Sequence, residues 1–238
     1  MNIKTASLSD CGGRSINDDT VRIRQDEDGV CVFVGDGLGG YAGGGQASQA
    51  AAEAVLAASR RGSLLTEERL LSTAEQADQA VRKLQAESRG NMKTTLVTLA
   101  IEDGRARWMH VGDSRLYHFR DGRLQFQTMD HSVSQMAVLM GEITREQIRF
   151  HEDRNRVLRA LGGENAKPEI SPTVMLTGGQ DAFLLCTDGF WEYVYEPEME
   201  QALRLAKDPE DWLERMKKLL QTRVPEDNDN FTAAAVFC

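Results

Sequence analysis

The apolar positions of this chain fall into two rhythms. Short runs with strand character occupy residues 2–6, 21–25 and 30–34, then 95–101, 106–111, 116–119 and 124–128, and later 170–176, 182–186 and 233–237. Asp28-Gly29, Asp103-Gly104 and Asp121-Gly122 fall between neighbouring runs and predict tight hairpin turns. The four middle runs therefore read as an antiparallel meander. A 3.6-residue period replaces the alternation in two stretches. Ala47, Ala50, Ala51, Ala54, Val55 and Ala58 mark one helix, stopped by Gly62. Leu70, Ala74, Ala77, Val81 and Leu84 mark a second, opening at Thr66, and the two are expected to pack side by side. Two more helices are expected over 197–206 and 208–221, the latter with Asp208 as N-cap and Pro209 in the first position. Residues 132–156 keep neither rhythm and read as a surface flap, in which Arg145, Arg149 and Arg154 accompany Met136, Val138, Leu139 and Met140, with Gly141 as a pivot.

With 238 residues, 41% of them hydrophobic, the chain can fill one core, and a single domain over 1–238 is expected. A formal net charge of -9 speaks against nucleic acid or an anionic membrane as partner. No apolar run is long enough to span a bilayer and Met1-Asn2-Ile3-Lys4-Thr5 carries no apolar leader, so the expectation is a cytoplasmic protein without membrane insertion. Cys11, Cys31, Cys186 and Cys238 lack metal-knuckle spacing and read as buried thiols. His110, His118, His131 and His151 likewise have no ligand spacing on a helix.

The chemistry gathers in acids at strand ends. Val32-Phe33-Val34-Gly35 runs into Asp36, followed at once by Gly37-Leu38-Gly39-Gly40. The device recurs at Gly112-Asp113-Ser114-Arg115, at Cys186-Thr187-Asp188-Gly189, and at Asp227-Asn228-Asp229-Asn230 before Phe231. Carboxylates brought together raise one another's pKa, and such a cluster is stable mainly around a cation. All-oxygen donors suit Mg2+ or Mn2+. The loop Arg14-Ser15-Ile16-Asn17-Asp18-Asp19 adds an arginine suited to phosphate and two further acids. The bland alternative at each place is a solvated acid in an ordinary turn.

Taken in order, these segments, with Thr94-Thr95, Asp130-His131-Ser132 and Arg159-Ala160-Leu161-Gly162, resemble the metal-dependent protein serine/threonine phosphatases of type 2C, the PPM family, and a bacterial stand-alone member in particular. The resemblance implies an α+β fold, a four-layer sandwich of two antiparallel β-sheets flanked by helix pairs with a flap insertion. It implies a centre of two Mn2+ or Mg2+ ions bridged by Asp36 and faced by the Gly37 carbonyl. Asp188, Asp229 and Asp18, with Asp19 beside it, would complete the shell, and Asp113 with Asp188 matches the place of a third, weaker ion. Arg14 would bind the substrate phosphate, and Arg14 and Asp36 form the catalytic pair. The implied reaction is hydrolysis of phosphoserine and phosphothreonine in phosphorylated proteins by metal-activated water, in a monomer that opposes a cognate serine/threonine kinase. The flap would lay Arg145 and Arg149 on a phosphopeptide. Residues 187–194 look like those of stand-alone phosphatases paired with kinases of type VI secretion. Two positions depart from the family pattern: Leu38 stands where animal members often carry a histidine, and Lys93 where a glycine usually precedes the paired threonines. A phosphoprotein-binding module without catalysis and a structural Mg2+ or Ca2+ protein are the readings from other classes.

Overall fold

The computed structural model describes residues 2–39 and 43–238; Met1 and Gly40, the last glycine of the run after Asp36, lie outside them. In chain order the first strands and helices are β1 (Lys4–Asp10), β2 (Thr20–Asp26), β3 (Gly29–Gly35), β4 (Gly37–Leu38), α1 (Gly43–Arg60) and α2 (Glu67–Ser88). There follow β5 (Lys93–Thr94), β6 (Leu96–Glu102), β7 (Arg105–Val111), β8 (Arg115–Arg120), β9 (Arg123–Gln127) and α3 (Val133–Leu139). The last are β10 (Glu169–Ile170), β11 (Val174–Met175), β12 (Asp181–Cys186), α4 (Asp188–Trp191), α5 (Glu196–Leu205), α6 (Pro209–Gln221) and β13 (Phe231–Phe237). One main sheet has the order β1-β13-β12-β8-β9; the second runs β10-β7-β6-β3-β2, with β11 also on β7; and β4 and β5 form a small two-stranded sheet.

The expected four layers are present, and the strand sequences explain them. Val30, Val32 and Val34 of β3 meet Phe183 and Leu185 of β12 and Ala234 and Val236 of β13 between the two sheets. The alternate residues Cys31 and Phe33 pack outward under Ala47, Ala51 and Val55 of α1 and Ala74 and Val81 of α2. On the other sheet Leu184, Cys186, Ala233 and Ala235 pack beneath Met199 of α5 and Trp212 and Met216 of α6. A strand covered on both faces needs apolar side chains at every position, which is why these strands read as unbroken apolar runs. Each fully buried Val or Leu contributes about 1.5–3 kcal/mol, so the central strands anchor the molecule.

Asp103 and Gly104 (φ 48° and 69°), and Asp121 and Gly122 (φ 52° and 69°), both have the paired positive φ of a type I′ turn, as their sequences predict. The first hairpin is shifted by one residue: Asp26 pairs with Gly29, leaving Glu27 and Asp28 as the loop. The meander is corrected more substantially. The β6–β7 and β8–β9 hairpins belong to different sheets, because both edges of β7 are taken, by β6 on one side and by β10 and β11 on the other. The chain turns from one sheet to the other at Gly112, whose φ is 107°. The expected strand over 170–176 is split into two short pairings around Pro172, which has no N–H to give to the ladder.

The flap is stapled down. Ser132 caps α3 by accepting from the Gln135 N–H at 3.2 Å, and the Val133 N–H donates to the Arg156 carbonyl at 3.0 Å. Arg149, expected to reach a phosphopeptide, is instead 7% exposed. Its guanidinium donates to Glu196 Oε1 at 2.5 Å and lies 5.5 Å from the Trp191 ring centroid and 5.2 Å from that of Tyr195. Arg154 donates to Glu192 Oε1 at 2.9 Å, while Arg145 is exposed. Arg149 is thus spent inside the protein, on a carboxylate 47 residues away that no local pattern announces.

Candidate functional site

Asp36 follows β3 at the point where that strand leaves the sheet. Its backbone is clamped on both sides: its N–H donates to Thr95 Oγ1 at 2.8 Å, and its carbonyl accepts from the Thr95 N–H at 2.9 Å and from Thr94 Oγ1 at 2.9 Å. Ser114 Oγ lies 2.6 Å from Thr95 Oγ1 and extends the clamp to the loop that carries Asp113. The two threonines are therefore supports for Asp36. The next residue must be glycine, because a Cβ on Gly37 would meet the Gly44 backbone at 2.3 Å and the Asp18 carbonyl at 2.6 Å. Lys93 causes no distortion here; it pairs opposite Leu38 in the β4–β5 ladder.

The other acids converge from four separate segments. Asp188 opens α4, where its Oδ1 accepts from the Gly189 N–H at 2.7 Å. Gly189 is itself forced, since a Cβ there would lie 2.0 Å from the Asn230 carbonyl. Asp229 precedes β13 and accepts from Arg14 at 3.3 Å, with both side chains about half exposed at 56% and 49%. The two acids of the Arg14 loop separate in role. Asp18 spends Oδ1 on the Gly45 N–H in the first turn of α1 at 2.7 Å. Asp19 turns inward, 8% exposed, and accepts from Thr187 Oγ1 at 2.8 Å. Asp113 is 2% exposed, and its Oδ1 has no hydrogen-bond partner among the described residues.

Crowding makes these carboxyls hard to ionise. Burial, then the charges of Asp188, Asp19, Asp113 and Asp229, hold Asp36 well above the usual carboxylate range, and burial followed by Asp113 and Glu192 does the same to Asp188. Burial pushes Asp19 up to about 7, and burial with the nearby Asp130 charge pushes Asp113 up to about 7. An orphaned buried oxygen among acids that oppose one another's ionisation fits a site for hard divalent cations. Asp36, Asp113, Asp188 and Asp229 line one cleft of about 410 Å³ together with Arg14, Asp18 and Gly37.

Several supporting residues stood unread in the motifs. Trp191 Nε1 donates to the Asp113 carbonyl at 2.9 Å, and the Arg115 guanidinium lies 3.4 Å from the centroid of that indole. Arg115 is fixed in turn by a bidentate pair with Asp130, at 2.8 and 2.7 Å. Asn230 staples the Arg14 loop: its Oδ1 accepts from the Asp18 N–H at 2.8 Å, and its Nδ2 donates to the carbonyls of Cys11 and Ile16, each at 2.9 Å. Of the four cysteines, Cys31, Cys186 and Cys238 are buried as expected and Cys11 is exposed.

Two other places invite comparison with this cleft. His110, His131 and Glu169 offer ligand atoms within 4.8 Å of one another. His131 Nδ1, however, accepts from the Gly112 N–H at 3.1 Å, which leaves the proton on Nε2, and Arg159 stands 3.5 Å from that nitrogen. The two rings are stacked within 7° of parallel, so their in-plane lone pairs do not converge, and the group reads as a packed support behind Gly112. A larger cavity of about 670 Å³ lies at the opposite end of the β1–β13 ladder, by Lys4 and Phe237. Its buried acid, Asp181, is already engaged by His118 at 2.6 Å and Arg120 at 2.8 Å.

A family model described as protein phosphatase 2C matches residues 12–230. The serine/threonine phosphatase stp of Listeria monocytogenes is 35% identical over 199 residues, which cover 80% of this chain and 79% of that protein. The solved catalytic domain of the serine/threonine protein phosphatase PstP, in complex with 2 manganese ions, is similar with a TM-score of 0.83 at 28% identity, covering 99% of this chain and 97% of that one. PppA, a key regulatory component of T6SS in Pseudomonas aeruginosa, gives a TM-score of 0.82 at 28% identity, over 100% and 98% of the two chains.

Proposed function

The chain belongs to the protein phosphatase 2C family and is a metal-dependent serine/threonine phosphatase, and we propose that the cleft between Arg14 and Asp188 is where phosphoproteins are hydrolysed. The observation that carries this assignment is the meeting of Asp36, Asp113, Asp188 and Asp229 in one cleft, with an Asp113 oxygen buried and unpartnered. Asp36 would be the bridging ligand, with the Gly37 carbonyl, Asp188, Asp229 and Asp19 around it. Asp18 would contribute through Oδ2, since its Oδ1 already caps α1. Divalent ions bound there supply a nucleophilic water near neutral pH and offset charge on the phosphoryl oxygens.

Arg14 faces the same cleft, and among the described residues its half-exposed guanidinium is paired with Asp229, so an arriving phosphate can take the guanidinium as a bidentate partner. Thr94 and Thr95 keep Asp36 in place, and Asn230 keeps Asp18 and the Arg14 loop against the entrance of β13. Leu38 lines the cleft and has no ionisable proton, so that position supplies no general acid.

The finer assignments are part of the same reading. Mn2+ is the first choice of ion, on the likeness to the manganese complex, with Mg2+ as the alternative and Asp113 with Asp188 as the place of a third ion. We propose a single domain over 1–238 with its flap at 132–156, acting as a cytoplasmic monomer against a cognate serine/threonine kinase. Among the described residues no helix is long and apolar enough to cross a membrane. The likeness to PppA, a regulatory component of T6SS, supports a place for this chain in type VI secretion, and the kinase it opposes would belong to that system. Phosphate release from a phosphothreonine peptide in Mn2+, compared with EDTA, tests the core of the proposal. Release in Mn2+ and none in EDTA is expected, and equal release in both would overturn it.

A further inference from the structure

The cleft does not end at Leu38. Beyond Leu38 and Gly39 it opens into a second cavity of about 660 Å³, which shares those two residues and also Asn155 and Val157 with the first. One wall is β5 and the other is the returning end of the flap, with Val157 and Leu158 as apolar surface, Leu158 being 51% exposed. Its charged side chains are Lys93, Arg156 and Glu164. Arg156 is already bonded to Asp153 at 3.0 Å, whereas Lys93 has no ion-pair partner among the described residues. With Arg156 spent on Asp153, Lys93 is the cation left for an incoming group among the described residues of this cavity.

Register fixes where that charge stands. In the β4–β5 ladder Gly37 pairs with Thr94 and Leu38 with Lys93, so Lys93 lies directly across from the residue two positions after Asp36. A strand advances about 3.3 Å per residue, and an extended substrate chain advances by the same amount. A substrate chain laid along β5 from a phosphate seated at Asp36 would bring a residue two or three places away over Lys93. We infer that the second cavity receives the substrate chain beside the phosphoresidue, and that Lys93 selects an anionic side chain there, a carboxylate or a second phosphate. This rests on the proposed function of the first cleft.

The test is a series of phosphothreonine peptides carrying Glu, Gln, Lys or phosphoserine at positions two or three residues to either side, with kcat/KM measured by phosphate release in Mn2+. At one of these positions the wild-type protein should prefer Glu over Lys by about two- to fivefold, the range of a partly exposed ion pair. A larger preference for phosphoserine than for Glu would identify a phosphate site, and the reverse a carboxylate site. Lys93→Arg should keep the order and Lys93→Glu should reverse it. An order unchanged in Lys93→Glu, or no preference at any position, overturns the inference. Hydrolysis of p-nitrophenyl phosphate by the wild-type protein separates the two levels. Turnover of it with a flat peptide series sinks this inference alone, and no turnover of it or of any peptide sinks the proposed function as well.

Discussion

Asp36 is held by three hydrogen bonds to its backbone and opposed by four carboxylates around its side chain, so its position is set by Thr94 and Thr95 and its charge by its neighbours. Asp36→Asn keeps the shape and removes one charge. Hydrolysis should fall by at least about a hundredfold, more than the loss typical of residues that merely support a metal ligand. In EDTA at pH 8 the same variant should melt no lower than wild type, because one of the mutually repelling acids is gone. Melting curves and phosphate release check the two halves, and activity retained in Mn2+ would remove Asp36 from the site. Asp36, Asp113, Asp188 and Asp229 were legible because each ends an apolar run or opens one, a local signal. Thr187 and Asn230 were not, since their bonds to Asp19 and Asp18 span 168 and 212 residues and a threonine or asparagine in a turn has many local uses. The separate roles of Asp18 and Asp19 were likewise closed to sequence: the cap on α1 that occupies Asp18 Oδ1 forms only in the folded chain.

Among the elements, α2 and α6 could be placed from their caps, Thr66 and Asp208, each accepting from the backbone N–H three residues on. Sheet membership is a different kind of fact. Each of the hairpins β6–β7 and β8–β9 is set locally, but which sheet receives it depends on edges supplied by β10, β11 and β12 far along the chain. The flap shows the same limit. Its arginines look alike in sequence, yet Arg149 is buried against Glu196 and two aromatic rings while Arg145 faces water. Arg149→Ala removes the nearest cation from a carboxylate that keeps Tyr117 at 3.3 Å and Arg115 at 3.8 Å, and should cost about 1–3 kcal/mol. Arg145→Ala should change stability by less than about 0.5 kcal/mol. Urea denaturation measures both, and limited proteolysis should cut the flap of the Arg149 variant first. Equal stability of the two variants would contradict the burial of Arg149.

On the scale of the whole molecule, the fold holds an acidic centre together against its own repulsion, and that gives stability a definite dependence on pH when no metal is bound. Asp19 and Asp113 titrate at about 7 in the folded chain, against 3.8 for an unperturbed aspartate, and Asp36 and Asp188 lie well above that value. A carboxyl whose folded pKa is raised costs nothing below the unfolded value, where it is protonated in both states. The cost grows as pH rises through the folded pKa, because the unfolded chain ionises freely and the folded one resists. Histidines act in the opposite sense: burial lowers His110 and His118, and takes His131 down to about 3, so they destabilise the fold chiefly below about 6.5. Between pH 6.5 and 8.5 the unfolded histidines give up their remaining charge, which offsets part of the fall, and the buried thiols Cys31, Cys186 and Cys238 add to it near the top, so the acids set the sign of the slope. In EDTA the melting temperature should therefore fall across this range, by about 5 °C or more for a chain of this size. Mn2+ bound at the ionised centre, as proposed, would add stability by mass action, so it should flatten the slope and raise the melting temperature more at pH 8.5 than at 6.5. Differential scanning fluorimetry at both pH values, with EDTA and with Mn2+, decides it: a flat or rising profile in EDTA would mean that these carboxyls are not crowded in the metal-free protein.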